Sequence, residues 1–304
     1  PWPVMSDYHL HLHPHQPSRR GPRSGEYPSG HVEAYVEAAA RRGVNELGFT
    51  EHLYRCVESR AALGEWWKRE PDPRLAAQTE EYLAADRNLS LNSYVTVVEE
   101  AKARGFPVLL GLEVDFFPET VEVVLELLEP YPWDFLIGSV HWVGGWAVDN
   151  SAVGYIWGER GIERGYDEYF ALETQLAASG AVDVLAHVDV VKKHGHRLPE
   201  EPLHHYQTVV AAAAASGTAV EVSSQGLRNE AAEVYPSGVF LRMFREAGVP
   251  ITLASDGHSP DEAGWGHDAV VSAAQEAGYG ERLRFRDRIG QLVPLEVGKS
   301  KFDG

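Results

Sequence analysis

A single α/β barrel, built of parallel strands that are each followed by a helix, is the fold the sequence predicts. Three observations predict it. Seven strand-like apolar runs alternate with seven helical patterns along the 304 residues; repeated strand–helix units imply a parallel sheet, and seven without a break favour closure into a barrel. Helical patterns stop at Gly43, Gly105, Gly180, Gly217, Gly248 and Gly278, as the left-handed C-terminal cap favours. Six of the apolar runs lead into histidine or a carboxylate at their C-terminal end, where such barrels carry their chemistry.

Strands are expected near 4–10, 44–50, 107–113, 134–140, 182–187, 219–223 and 250–255. Helices are expected near 31–42, 92–104, 120–129, 163–179, 202–215, 236–247 and 260–277. The first strand, Asp7-Tyr8-His9-Leu10-His11, sets two histidines two apart, so both side chains point to one face and can converge on one ion. The second, Leu47-Gly48-Phe49-Thr50, leads into Glu51-His52. The third, Val108-Leu109-Leu110-Gly111-Leu112, ends abruptly in Glu113. The fourth ends at His141 and the fifth at His187. The last, Ile251-Thr252-Leu253-Ala254, is followed by Asp256 and His258, again two apart. A buried apolar strand that ends in an imidazole or a carboxylate is hard to explain once by packing. Its repetition predicts a cluster of metal ions.

Composition bounds the partners. The formal charge of −18 argues against nucleic acid, whose phosphates would be repelled. A phosphorylated small molecule remains compatible if cations invert the local potential. The lone Cys56 excludes an internal disulfide and suits a reducing cytoplasm. No run approaches the ~18 apolar residues of a membrane span, and Pro1-Trp2-Pro3-Val4-Met5 lacks the features of a signal peptide. Residues 1–304 read as one domain with two insertions, 54–91 and 143–162. Both insertions follow ligand-bearing strands, which places them on the site face as a lid or substrate wall. An oligomer contact or plain surface explains them equally well, and oligomeric state stays open.

The ordered motifs resemble the PHP (polymerase and histidinol phosphatase) superfamily, and within it the PHP-type histidinol-phosphatases. The resemblance rests on His9-Leu10-His11, on Thr50-Glu51-His52 (where the family more often has Asp before the His), and on Gly111-Leu112-Glu113-Val114-Asp115. It continues through Gly138-Ser139-Val140-His141, His187-Val188-Asp189, Lys192 to Pro199, Gly226-Leu227-Arg228, Glu233-Val234-Tyr235-Pro236 and Ser255-Asp256-Gly257-His258. It implies a distorted seven-stranded (β/α)7 barrel. It also implies that His9, His11, Glu113 and Asp256 hold a first ion, with Glu113 bridging to a second held by His141 and His187. A third would take His52, His258 and a histidine six residues beyond the His-x-His. That position is Pro17 here, and of the nearby His13 and His15 the spacing favours His15.

Such a centre suits phosphate ester hydrolysis. Two or three cations neutralise the phosphate oxygens, and ions about 3.5–4 Å apart hold a hydroxide aligned with phosphorus. Mixed imidazole and carboxylate ligands fit zinc, manganese or iron better than magnesium or calcium, with zinc preferred. Glu113, Asp256 and His258 are the expected catalytic residues, His258 and a metal-activated water being the two candidate proton donors to the leaving alcohol. Arginine's planar fork orients phosphate best, so Arg197 and Arg228 are expected phosphate contacts, with Lys192 beside them. The resemblance implies L-histidinol phosphate as substrate, in histidine biosynthesis. The alternatives are another small phosphate ester (a nucleotide or phosphotyrosine) or a noncatalytic, metal-stabilised module. No protein nucleophile is found: Ala62 stands where a cysteine phosphatase built on Cys56 needs arginine, and Val293 stands where a P-loop ending in Gly298-Lys299-Ser300 needs glycine.

Overall fold

A computed structural model describes residues 5–15 and 21–295; residue 4, Pro17 and the Gly298-Lys299-Ser300 triplet lie outside them. Strand β1 (Ser6–Leu10), helix α1 (His31–Ala40) and strand β2 (Glu46–Phe49) open the alternation. The first insertion then supplies α2 (Ser59–Leu63) and α3 (Pro73–Asp86) before α4 (Leu91–Ala103). The third predicted strand divides into β3 (Val108–Leu110) and β4 (Glu113–Asp115), followed by α5 (Val121–Leu128) and β5 (Ile137–Ser139). Just ahead of the second insertion Trp142 opens a small hairpin, β6 (Trp142–Val143) and β7 (Trp146–Ala147), and the insertion then carries α6 (Ile156–Arg160). The alternation resumes with α7 (Ile162–Ser179), β8 (Val184–Leu185), α8 (Leu203–Ser216), β9 (Ala219–Ser223), α9 (Gly238–Glu246), β10 (Ile251–Ala254) and α10 (His267–Glu276). An antiparallel hairpin, β11 (Glu281–Arg286) and β12 (Ile289–Pro294), closes the described chain and was not foreseen.

The parallel strands form two sheets, β1-β2-β3 and β10-β9-β8-β5-β4. They meet at two seams, marked by single bridges between Leu10 and Gly257 and between His52 and Glu113. The predicted closed barrel is therefore not seen as one continuous ladder. Its parallel strands and covering helices are. Each seam opens beside residues that leave the strands for the site: His11 and Asp256 at one, His52 and Glu113 at the other. The register of β1 against β2 also slips between Asp7 and Leu10, a bulge that re-aims the side chains between them.

A small core fills the space between the sheets: Tyr8, Leu109, Phe135, Ile137, Val184, Ala186, Ala219 and Phe285. Phe135 explains two glycines in strand segments. A Cβ at Gly48 would lie 2.5 Å from its ring, and one at Gly111 would lie 2.8 Å from it. Tyr8 and Phe285 complete the aromatic stack, with centroids 5.2 and 5.8 Å from that of Phe135. Phe285 belongs to β11, whose arginines reach the N-terminal strand ends: Arg282 Nη1 donates to Ser6 Oγ at 3.0 Å, and Arg284 pairs with Glu46 at 2.6 Å. The hairpin is thus a floor under the strands. Their opposite ends carry the site.

Candidate metal centre

Glu113, the first residue of β4, is fully buried and collects imidazoles on both of its oxygens. Oε1 lies 3.0 Å from His187 Nε2 and 3.2 Å from His141 Nε2. Oε2 lies 2.7 Å from His52 Nδ1, 3.3 Å from His9 Nε2 and 3.4 Å from His11 Nε2. One carboxylate thus divides five histidines into two sets, as a bridge between two ions would. Asp256 Oδ1 approaches His9 and His11 Nε2 at 3.5 and 3.3 Å. Ligand atoms arranged tetrahedrally about a zinc ion at about 2.1 Å would lie about 3.4 Å apart, so these separations leave room for an ion.

Outer carboxylates fix the rings. Glu221 Oε2 holds His9 Nδ1 at 2.8 Å, Glu51 Oε1 holds His11 Nδ1 at 3.2 Å, and Asp115 Oδ1 holds His141 Nδ1 at 2.9 Å. Each leaves Nε2 facing Glu113, the carboxylate–histidine arrangement that orients metal ligands. Buried polar atoms left without a hydrogen-bond partner gather here: both nitrogens of His52, Nδ1 of His187, Nε2 of His258, Oδ1 of Asp256 and Oε2 of Glu113. Unmet buried atoms in such number call for a ligand. His187 and Asp256 also take positive φ, 25° and 52°, which non-glycine residues seldom adopt away from functional sites. Burial opposes charge on Glu113 and Asp256, yet the surrounding imidazoles, His52 then His9 at Glu113 and His9 then His11 at Asp256, hold both well below the usual carboxylate range. Burial, then the nearby His11, pushes His52 and His258 well below the ordinary histidine value.

Four overlapping triads have ligand atoms within 4.8 Å of one another: His11/His52/His258, His9/His187/Asp256, His9/His11/Glu113 and His52/Glu113/His141. The model of the PHP domain matches residues 9–225, more than half of the chain. The chain belongs to the PHP family.

Curated PHP relatives and a solved structure resemble the chain along most of its length. The chain is 32% identical over 286 residues to a probable histidinol-phosphatase of Deinococcus radiodurans, covering 93% of this chain and 97% of that one. It is 24% identical to the histidinol-phosphatase of Bacillus subtilis over 79% of this chain and 91% of the relative. A crystal structure of Lactococcus lactis histidinol phosphate phosphatase, complexed with zinc, L-histidinol and phosphate, superposes with a TM-score of 0.70. At 20% identity, covering 95% of this chain and 99% of that one, it shows a shared fold.

The triads of the PHP centre include eight of the nine predicted metal ligands; His15 is in none. Its ring nevertheless lies tilted 4.4 Å from that of His258 and 5.3 Å from that of His52, with Nδ1 held by Arg55 Nη2 at 2.9 Å and Tyr82 Oη at 3.1 Å. His13 faces elsewhere: Glu51 Oε2 takes its Nδ1 at 2.6 Å, and its Nε2 donates to the Glu26 carbonyl at 3.0 Å.

A cavity of about 210 Å³ opens above the centre, lined by His15, His52, His141, His187, Asp256 and His258. Both insertions contribute walls, Tyr54 and Tyr82 from the first and Asp149, Asn150 and Ser151 from the second, with Trp142 between them. None of the three basic residues expected on phosphate lines it. Lys192 is buried and paired with Asp189 at 2.5 Å and Glu233 at 2.6 Å. Arg197 pairs with Glu233 at 2.7 Å. Arg228 donates to the carbonyls of Ser255 and Asp256 at 2.5 and 3.0 Å and faces Glu262 at 3.2 Å. Lys193 lines the cavity instead. Sequence reasoning also missed the roles of Glu51, Asp115, Glu221 and the fully buried Arg55. The available signal was a carboxylate inside or just beyond a buried strand, two residues from Glu113 in the case of Asp115 and mid-strand for Glu221.

Proposed function

We propose that this PHP protein is a metal-dependent phosphomonoesterase that hydrolyses L-histidinol phosphate to L-histidinol and phosphate, a step of histidine biosynthesis. The observation that carries the proposal is Glu113. Its two oxygens are shared between two sets of histidines at the base of a cavity sized for a small ester, in a chain close to histidinol-phosphatases along almost its whole length. His9, His11, Glu113 and Asp256 would hold one ion and Glu113, His141 and His187 a second, with His52, His258 and His15 as the third set. We take zinc as the metal. Divalent ions, when bound, would shield the phosphoryl oxygens and lower the pKa of water. The chain's own part is to fix the ligand nitrogens through Glu221, Glu51 and Asp115, to place the Lys193 ammonium beside the phosphoryl group, and to wall the imidazole with Tyr54, Tyr82 and Trp142. His258 and Asp256, which line the cavity, would serve the departing ester oxygen. The two sheets are read as one distorted seven-strand barrel broken at its seams. Burial of the single Cys56 suits a cytoplasmic enzyme, and no helix among the described residues is long and apolar enough to cross a membrane.

The test is phosphate release from L-histidinol phosphate and a panel of small phosphate esters, with protein reconstituted with zinc, manganese or iron. A kcat/KM for histidinol phosphate about a hundredfold above the others, ~3 kcal/mol of discrimination, is the expected result. Uniformly slow turnover would remove the substrate assignment and leave a PHP phosphoesterase of another specificity.

A further inference from the structure

Lys193 and Asp149 form an ion pair inside the cavity, with Nζ 3.0 Å from Oδ2. Each is partly open to the cavity, 21% and 27% exposed. The second oxygen of Asp149 has no partner among the described residues. His194, next along the chain, donates from Nε2 to the Asp149 carbonyl at 2.8 Å. Two consecutive residues after β8 therefore clasp the second insertion at Asp149 and hold the carboxylate over the site. Burial opposes the charge of Asp149, but Lys193 beside it holds it below the usual carboxylate range. Apart from Asp256, it is the one carboxylate among the described residues that line the cavity.

A carboxylate is a poor choice for a phosphate-binding cavity unless the substrate brings a cation. L-Histidinol phosphate carries an ammonium on the carbon next to the ester methylene, so its two charges lie side by side. We propose that Asp149 selects for that ammonium, exchanging Lys193 for the substrate amine while Lys193 turns to the phosphoryl group. In the free protein the pair satisfies itself and no charge is left unmatched. A substrate bearing both charges replaces one pair by two. A phosphate ester without the amine draws Lys193 away and leaves Asp149 unpaired beside Tyr82 and Trp142, a penalty that rejects the wrong ligand. This inference rests on the histidinol phosphate reading above.

Its test compares L-histidinol phosphate with the des-amino analogue, 3-(imidazol-4-yl)propyl phosphate, on wild type, Asp149→Asn and Lys193→Met, with bound metal counted in each. Wild type is expected to prefer the amine-bearing ester by about 100-fold. Asp149→Asn should bring that preference to within about threefold, through loss on the amine substrate and relief of the penalty on the des-amino one, with metal content unchanged. Lys193→Met should lower both substrates by similar factors. Loss of both substrates alike in Asp149→Asn, retention of the wild-type preference, or loss of metal would each overturn the assignment. A wild type that fails to favour histidinol phosphate over simple esters in the panel would bring down the substrate reading itself, and this inference with it.

Discussion

The two ends of the parallel strands both bury charge, and they resolve it in opposite ways. At the N-terminal end Glu46, Asp134 and Asp183 each meet a partner of the other sign. Glu46 receives Arg284 at 2.6 Å, Arg286 at 2.5 Å and the Tyr8 hydroxyl. Asp134 takes Lys102 at 2.7 Å and the Leu110 N–H at 2.8 Å, and Asp183 takes Arg288 at 3.0 Å and the Leu136 N–H at 2.7 Å. At the C-terminal end Glu113 and Asp256 face imidazoles, and each keeps an oxygen with no hydrogen bond. Charges matched within the chain hold the fold together. Charges matched only when something binds mark the site.

The sharpest way to break this contrast is at Glu113. Glu113→Ala should lower turnover by on the order of a thousandfold or more, because the residue serves both histidine sets, and should release bound metal. Phosphate release and metal content per chain measure it. A variant that keeps most of its turnover and only melts earlier would turn the upper end into a structural metal site, the noncatalytic module that the sequence left open.

A smaller effect is expected one layer out. Glu221 accepts His9 Nδ1 at 2.8 Å on one oxygen and the His187 N–H at 2.7 Å on the other, and so steadies two ligands at once. Glu221→Gln should weaken metal binding by about 10–100-fold, the usual cost of losing an outer-shell carboxylate, with much of the activity returning at saturating metal. Titration against a competing chelator reads this directly. Unchanged metal affinity would mean that the ring of His9 is oriented by packing alone.

The upper end was far more legible in the sequence than the lower. His9 and His11, Asp256 and His258, and Glu113 at the end of an apolar run announce themselves through local spacing, because a strand fixes which side chains share a face. The floor hairpin has an alternation of its own, Arg282, Arg284 and Arg286 against Leu283 and Phe285. Its meaning depends on Glu46, which lies 238 residues from Arg284, and no local rule joins them. The basic segment after β8 shows the same limit at short range. Sequence marks Lys192 to Arg197 as the dense cationic stretch, but a single 3-10 turn over Val190–Lys192 decides which lysine reaches the cavity. It sends Lys192 to Asp189 and Glu233 and leaves Lys193 for the site. The break between the sheets was hidden for a related reason. It arises where residues leave the strands to deliver ligands, beside the Leu10–Gly257 and His52–Glu113 bridges, and hydrophobic patterning does not report on ladder continuity.

The weakest expected effect, and the one that best isolates the lower end, is Glu46→Gln. The carboxylate is 2% exposed, but Arg284 and Arg286 are 35% and 50% exposed, so solvent screens part of the attraction. The variant should lose about 1–3 kcal/mol of stability at neutral pH, below the full cost of breaking a wholly buried pair, and keep its kcat/KM. Burial alone would raise the Glu46 pKa; the hydrogen bonds from Arg284 and Arg286 reverse this and hold it below the ordinary glutamate value. A carboxylate depressed in the folded state contributes stability that is fully present above its unfolded pKa, about 4.3, and that is lost as pH falls through the folded value. The gap in Tm between wild type and Glu46→Gln should therefore be constant from neutral pH down to about 5 and shrink below that. Taking the difference between the two proteins cancels the titration of the metal ligands at the other end. A gap that stayed open in acid would show that Glu46 acts through shape and neutral hydrogen bonding, and the matched charges of the floor would then be incidental to its stability.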